Sequence, residues 1–271
     1  MPLDARIEAE RLYKLYQEEE KNQQFSLLLL GDKGSGKTFL MRTARKPVHI
    51  DSFERGGTMG LRDWIRRGEI VVDTSYEGDN PSKPAAFAKW KKDFEQRKRD
   101  GYFNHFATYV LDSCTKWQEA IMDGILYAAN RPGTQPRFQE DYPKAKYEIH
   151  SSMMALMTLS CDIIVTGHVA PVSDSSGGPV EYRFVSTGKE STLIPISFGE
   201  QWITHTKDSA TGVKYEIITR RVGKYLASSR LAGEGKLSTY EEPDLKAILK
   251  KCGYPTNDKP LLFTPDKRVS K

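Results

Sequence analysis

The segment Gly31-Asp32-Lys33-Gly34-Ser35-Gly36-Lys37-Thr38 is the most informative part of this 271-residue chain for its fold class. It matches the pattern G-x-x-x-x-G-K-[ST] at every fixed position. In such a loop the glycines let successive backbone N–H groups point inward at phosphate groups, and the lysine reaches the β- and γ-phosphates. The hydroxyl of Thr38 is a ligand for Mg²⁺. The sequence therefore predicts that every residue from Gly31 to Thr38 contacts a magnesium-bound nucleoside triphosphate.

The residues on both sides of this loop fit the same interpretation. Phe25 to Leu30 is a continuous apolar run that is too short for a helix, which predicts a strand buried on both faces, as in a parallel sheet. A helix is predicted from about Lys37 to Ala44, and its N-terminus adds a positive dipole end to the loop. The alternative is a glycine-rich turn without a ligand, but a preceding strand and a following helix favour a phosphate site.

Short apolar runs alternate with helical patterns along the rest of the chain. Strands are predicted at 47–50, 69–73, 106–111 and 162–166, and helices at 61–67, 84–100, 115–130 and 142–160. Strands at 201–206 and 213–219, joined by the polar segment 207–212, predict a hairpin. This order indicates an α/β fold with a mostly parallel central sheet, helices on both faces and an antiparallel edge hairpin.

Three regions follow from these patterns. Residues 1–24 are an N-terminal helix and a candidate oligomerisation arm, 25–240 form the core, and 241–271 hold a C-terminal helix and tail. The longest apolar run is too short to span a membrane, and we expect no secretory signal at the start of the chain. The three cysteines show no metal-binding spacing, so we expect free thiols in the cytoplasm. The net charge of +5 permits nucleic-acid binding without demonstrating it.

A carboxylate at the end of a buried strand is the second feature of a magnesium site. Asp112 ends the apolar run Tyr109-Val110-Leu111, which places it at the ligand-binding edge of an open α/β sheet. We predict that Asp112 and Thr38 hold the metal. An N-cap role for the helix that begins near Thr115 is the alternative, and the two roles are compatible.

Hydrolysis also needs a group that orients or deprotonates water, and Asp112 is followed by Ser113 rather than by a second acid. Asp51 and Glu54 follow the neighbouring predicted strand, so both are candidates, and the longer Glu54 reaches inward more easily. His168 ends the strand after Asp112, where it could hydrogen-bond the γ-phosphate and report its loss. A loop carboxylate and an ordinary buried histidine are the structural alternatives.

A series of motifs in this order resembles the RecA-like ATPases, most closely the small phage-encoded ones described as single-strand annealing or recombination ATPases. The motifs run from about Phe25 to Cys252. They are G-D-K-G-S-G-K-T, H-I-D-S-F-E-R-G-G-T, Y-V-L-D-S, D-Y-P-K-A, I-V-T-G-H, T-G-K-E-S-T-L-I-P and E-E-P-D-L-K-A-I-L-K-K. One departure is Phe53, which puts one residue more than the commoner spacing before the acid at 54.

The resemblance implies a RecA-type core that assembles into a ring or filament, hydrolyses ATP at subunit interfaces and binds single-stranded DNA, with a single-strand binding protein as a further candidate partner. An acid after the second strand activates water in that family, which supports Glu54 or Asp51. The DNA-contacting loops would fall near 131–140 and 170–190. No base-reading motif distinguishes ATP from GTP.

Basic residues supply the remaining candidates. ATPases of this kind often take a basic side chain from the next subunit, and Arg220, Arg221 and Lys224 follow the hairpin. For DNA, the candidates are Arg131 and Arg137 in one loop and Lys189 in the other, with the basic face of the helix at 89–99 as a further surface. A solvated basic surface is the alternative in each case.

Three other functions compete with a DNA-dependent ATPase. A ring helicase or its loader would add translocation along DNA. A P-loop kinase would transfer phosphate to a small molecule, but such kinases need an arginine-rich lid, and the segment 170–190 has only Arg183. A nucleotide-gated interaction module would bind nucleotide with little turnover.

Overall fold

The computed structural model describes residues 3–21, 24–172, 180–186, 190–210, 212–232 and 235–264. The helices in these ranges are α1 (Ala5–Lys21), α2 (Lys37–Leu40), α3 (Arg62–Arg66), α4 (Ala86–Arg99), α5 (Cys114–Ala128), α6 (Asp141–Leu156), α7 (Glu190–Ile196) and α8 (Leu245–Lys251). The strands are β1 (Ser26–Gly31), β2 (Val48–Ser52), β3 (Ile70–Asp73), β4 (Thr108–Asp112), β5 (Asp162–Val172), β6 (Glu181–Phe184), β7 (Glu200–Ser209), β8 (Gly212–Ile218), β9 (Ser228–Ser229) and β10 (Tyr240–Glu241).

The strands form one central sheet in the order β10-β8-β7-β1-β5-β4-β2-β3. Strands β7, β1, β5, β4, β2 and β3 run parallel to one another, whereas β8 pairs antiparallel with β7, and β10 pairs antiparallel with β8 at one edge. The predicted fold class is therefore confirmed. Strand β5 lies between β1, which leads into the phosphate-binding loop, and β4, which ends at Asp112. This order places three strand ends side by side at one edge of the sheet.

The central strand β1 is buried on both faces. Leu28 and Leu30 pack in one apolar cluster with residues of α4, α5 and α6, such as Trp117. Leu27 and Leu29 pack in a second cluster with residues of α2 and α8. Because side chains alternate along a strand, a continuous run of leucines serves both clusters, and this accounts for the unbroken apolar pattern.

Several elements differ from what the sequence pattern predicts. Helix α2 ends after one turn and continues as a 3₁₀ turn over Met41–Thr43, where the Thr43 hydroxyl donates to the carbonyl of Leu40. Strand β5 runs on to Val172 because β6 pairs with its extension. Helix α7 was not predicted, since it follows a Gly- and Ser-rich segment and contains Pro195.

The first and last helices differ in how far their side chains are buried against the core. The side chains of α1 described up to Glu18 are exposed except for a half-buried Glu8, so this helix presents its apolar stripe, including Leu12 and Tyr16, to solvent. At the other end, Leu245 and Ile248 of α8 are buried in the cluster that contains α2. All three cysteines are buried thiols. Across the described ranges, no helix combines the length and apolarity that membrane crossing requires.

Candidate functional site

The loop between β1 and α2 adopts backbone conformations that require glycine. Gly34 (φ +79°) and Gly36 (φ +89°) both lie in the left-handed region, which side chains other than glycine rarely adopt. Gly31 is required for a different reason, which is close packing. A Cβ added there would lie 2.2 Å from Thr204 Oγ1 and 2.5 Å from Ser35 Oγ. The hydroxyls of Ser35 and Thr204 are themselves 2.6 Å apart, so the start of the loop is tied to β7.

This packing gives a test of the loop's rigidity. Gly31→Ala should lower the free energy of unfolding by about 1–3 kcal/mol, because the added methyl group must displace Thr204 and Ser35. Gly124→Ala in α5 is the matched control, since a Cβ there would meet no atom within 4 Å and helical alanine is favoured over glycine. Urea denaturation measures both changes. Equal stability of the Gly31→Ala variant and the wild type would contradict the close packing at this position.

Lys37 is held at the floor of the loop. Its Nζ donates to the carbonyl oxygens of Gly31 and Asp32, each at 2.8 Å, and the residue is 6% exposed. Burial lowers the pKa of this ammonium group, and the carboxylates of Asp112 and Glu54 oppose the shift. The side chain is thus fixed as a point charge beside the loop. The short α2 contributes less dipole to the site than the longer predicted helix would.

The predicted metal ligands meet at the end of the loop. Thr38 Oγ1 donates to Asp112 Oδ2 at 2.8 Å, and the hydroxyl of Thr166 donates to the other carboxylate oxygen. Burial raises the pKa of Asp112, while its two hydroxyl donors oppose the shift. A Cβ on Gly57 would lie only 3.5 Å from Asp112 Oδ2, so the glycine leaves room beside the two oxygens. A hydroxyl and a carboxylate are the hard oxygen donors that Mg²⁺ prefers, so the residues fit this ion.

Glu54 and His168 are brought together from different strands. Glu54 follows β2, His168 lies in β5, and His168 Nε2 donates to Glu54 Oε2 at 3.0 Å. This hydrogen bond lowers the pKa of Glu54, with burial opposing it. Both side chains line one cavity of about 550 Å³ that also contains Lys37 and Thr38. An ionised carboxylate therefore faces the position where the terminal phosphate would lie.

Asp51 does not share this site, although it was the other candidate for activating water. Its carboxylate is fully buried beneath α4 and accepts hydrogen bonds from Trp90 Nε1 (2.9 Å), Tyr109 OH (2.7 Å) and Arg97 Nη1 (3.1 Å). Strand alternation is the reason: Asp51 points to the face opposite Ile50, away from the loop. The burial of Asp51 among these donors therefore argues against a role in activating water, whereas Glu54 lines the cavity.

The predicted DNA-contacting residues have partners within the chain. Arg131 Nη2 reaches both carboxylate oxygens of Asp141 (2.7 and 2.8 Å), and Asp141 is fully buried. Arg137 pairs with Glu140 at 2.9 Å. Arg131 thus orders its own loop, which argues against the predicted phosphate contact. Lys189 lies outside the described residues.

The basic residues predicted to act on a neighbouring subunit do not line the cavity of their own chain. Arg220 Nη2 donates to the carbonyl of Leu237 at 2.5 Å, and Arg221 pairs with Glu181 at 2.8 Å. Lys224 Nζ lies 4.7 Å from the ring centroid of Tyr182. Action in trans stays a prediction for all three.

Sequence reasoning missed several residues of the cavity. Arg55, Arg42 and Tyr215 line it, and the ring of Tyr215 would lie 3.1 Å from a Cβ on Gly36. Thr166, which holds Asp112, was also missed. A signal was available for Arg55, which is next to Glu54 in sequence. Tyr215 comes from the distant hairpin, and its position depends on how β7 and β8 extend past the loop.

Residues 23–192, more than half of the chain, match the family model described as AAA domain. No curated protein matches the sequence. Similar solved structures include a KaiC-like protein from Pyrococcus horikoshii OT3, with 14% identity, 76% of this chain and 82% of that chain covered, and a TM-score of 0.43. Another is the flagellar accessory protein FlaH from Methanocaldococcus jannaschii, with 12% identity, coverage of 74% and 79%, and a TM-score of 0.35.

Proposed function

The chain belongs to the AAA domain family, and from that premise we propose that it is a RecA-like P-loop ATPase that couples ATP hydrolysis to single-stranded DNA binding in recombination or strand annealing. The observation that carries the ATPase part is the convergence of Glu54 and His168 on the cavity that holds Lys37 and Thr38. The DNA part, a phage origin, assembly into a ring or filament and a place in the cytoplasm rest on the motif series in the sequence.

The reaction follows from the positions of these groups. The oxygen of a water molecule forms a bond to the γ-phosphorus while the bond from that phosphorus to the β–γ bridging oxygen breaks. Glu54 orients the water and takes its proton, and the electron pair of the broken bond leaves with ADP. Lys37 places its ammonium charge against the β- and γ-phosphates. Mg²⁺, held by Thr38 and through Asp112, would neutralise charge on the phosphate oxygens.

Strand β5 supports a link between hydrolysis and a second ligand. His168 lies where β5 leaves the sheet, and the strand continues to Val172 in a pair with β6. The backbone of His168 is held on both sides, since its N–H donates to Thr115 Oγ1 (3.1 Å) and its carbonyl accepts from the N–H of Val185 (2.8 Å). A shift of His168 on loss of the γ-phosphate would therefore move the β5–β6 pair.

For DNA, the basic face of α4 offers the exposed cations. Lys89 pairs with Asp93, Lys91 with Glu148, Arg97 with Asp51 and Asp73, and Arg99 with Asp100. Lys92 and Lys98 are exposed and have no ion pair with any described residue. These two lysines are thus the members of the predicted surface that are free to meet phosphates.

The test is ATP hydrolysis with and without single-stranded DNA. We expect stimulation by single strands, which weakens steeply between roughly 50 mM and 200 mM salt because each protein–phosphate contact releases counterions. Replacing Lys92 and Lys98 with alanine should reduce the stimulation and the steepness of its salt dependence, whereas basal hydrolysis should persist. Replacing exposed Arg6, which pairs with Glu10 on α1, is the matched control.

Each outcome separates this proposal from its rivals. Hydrolysis that ignores DNA, with no complex at low salt, would reject the recombination function and leave an ATPase. Unwinding of a tailed duplex would indicate a helicase or a loader. Transfer of phosphate to a nucleoside instead of water would indicate a kinase. Nucleotide binding without turnover would indicate a gated interaction module.

A further inference from the structure

The cations that line the cavity differ in how they are held. Lys37 is bonded to two carbonyl oxygens, and the guanidinium of Arg42 lies 4.6 Å from the ring centroid of Phe39. Lys33 and Arg55 are both exposed and, among the residues that the structure describes, neither has a side-chain hydrogen bond or ion pair. A cation that lines a phosphate-binding cavity without a partner of its own is available to a ligand.

Arg55 lies in a tight turn formed by residues 54–57. This turn packs beside the predicted metal ligands Thr38 and Asp112. The N–H of Gly57 donates to the carbonyl of Glu54 at 3.0 Å, and Gly56 has φ +75° and ψ +2°. These are the features of a type II turn, with Gly56 at the position that requires positive φ and Arg55 at the one before it. Gly57 packs beside Asp112 and Thr38. The turn therefore holds Glu54 and Arg55 together at the terminal-phosphate end of the cavity.

The charges that line the cavity indicate what Arg55 would do there. Lys33, Lys37, Arg42 and Arg55 line it, against the carboxylates of Glu54 and Glu216. The carboxylate of Glu216 is already bonded to His205 Nδ1 at 3.0 Å. At the metal end, Glu54 brings a negative charge next to the phosphate that it must help to attack. An adjacent cation would offset the repulsion between Glu54 and the γ-phosphate oxygens.

We infer that Arg55 is a catalytic residue that acts in cis, with its guanidinium on the γ-phosphoryl oxygens of the nucleotide bound by its own chain. It stabilises the negative charge that these oxygens carry in the transition state, the role that an arginine finger has in other phosphoryl-transfer enzymes. The inference rests on the proposed ATPase activity. It goes beyond that proposal because hydrolysis would not require a basic residue from a neighbouring subunit.

Kinetics of single variants are the first test. Arg55→Ala should lower kcat by about 100-fold or more and change KM by less than about threefold, because the contact strengthens in the transition state. Arg55→Lys should retain an intermediate kcat, since lysine supplies charge without the planar fork. Arg66→Ala is the matched control, because Arg66 is exposed, pairs with Asp63 and does not line the cavity.

A mixing experiment then separates action in cis from action in trans. Arg55→Ala protein has an intact phosphate-binding loop, and Lys37→Ala protein has an intact Arg55. If Arg55 acts in cis, mixing the two proteins restores no hydrolysis. Restored activity would show that Arg55 serves a neighbouring site and would overturn the inference, as would an Arg55→Ala variant with wild-type kcat. A wild-type protein that hydrolyses no ATP would instead reject the proposed function itself.

Discussion

Glu54→Gln should lower kcat for ATP hydrolysis by about 1,000-fold, within the range of about 10² to 10⁴ that general-base groups contribute. Glutamine keeps the size of the side chain but cannot take a proton from water. The carboxylate faces the cavity, and its pKa is lowered chiefly by the hydrogen bond from His168, so it is ionised and ready to accept that proton at neutral pH. Steady-state phosphate release measures the change.

Nucleotide affinity distinguishes a catalytic role from a binding role in this variant. Within the described residues, the Glu54 side chain is hydrogen-bonded to His168 and not to the phosphate-binding loop, so the Kd for ATP should change by less than about threefold. Lys37→Ala should instead weaken binding itself, because it removes the ammonium group at the loop. Glu69→Gln is the matched control, since Glu69 pairs with Arg67 outside the cavity. Hydrolysis by Glu54→Gln at the wild-type rate would mean that another group activates water.

The site residues that the sequence predicted are those marked by a short, contiguous sequence pattern. The loop from Gly31 to Thr38 is a contiguous motif whose glycines and charge act together. Asp112 is a charge at the end of an apolar strand, and the end of a parallel strand is where ligands bind. His168 was found in the same way. For each of them, short-range pattern and strand order were sufficient.

The parts that were missed depend on contacts between distant segments. Thr166 looks like an ordinary strand residue until β5 is inserted between β1 and β4, which brings its hydroxyl to Asp112. Arg131 looks like a free loop cation until α6 presents Asp141. The different roles of Asp51 and Glu54 depend on where β2 ends, which the sequence pattern did not define. A strand that continues to Ser52 turns Asp51 to the face of α4, and the partners Trp90 and Arg97 lie far along the chain.

The second prediction concerns stability and the buried polar cluster around Asp51. Its carboxylate receives hydrogen bonds from Trp90, Tyr109 and Arg97, and it also contacts His49 Nε2 at 2.9 Å. This cluster joins β2, β4 and α4. Removing this carboxylate would take the acceptor from the buried donors of Trp90 and Tyr109. It would also leave the half-buried Arg97 guanidinium with Asp73 as its remaining ion-pair partner, and together these losses cost far more than loss of an exposed ion pair.

Asp51→Ala should therefore lower the free energy of unfolding by about 3–5 kcal/mol, which is a large share of the stability of an ordinary domain. Urea denaturation at neutral pH measures it. Asp51→Asn should lose less, because its amide oxygen still accepts hydrogen bonds. Asp63→Ala is the control, and this exposed aspartate should change stability by no more than about 0.5 kcal/mol.

The activity of these Asp51 variants decides what the cluster does for catalysis. Phe53 stacks on Tyr76 with ring centroids 5.3 Å apart, and Tyr76 accepts a hydrogen bond from Arg97, so the cluster also supports the segment that carries Glu54. If Asp51 is structural, Asp51→Asn protein that is fully folded should keep kcat within about tenfold of the wild type, far above the value for Glu54→Gln. A folded Asp51→Asn protein as inactive as Glu54→Gln would assign the water-activating role to Asp51 after all. The contrast works because one carboxylate is enclosed by donors from three elements, whereas the other faces the cavity only three residues later in the chain.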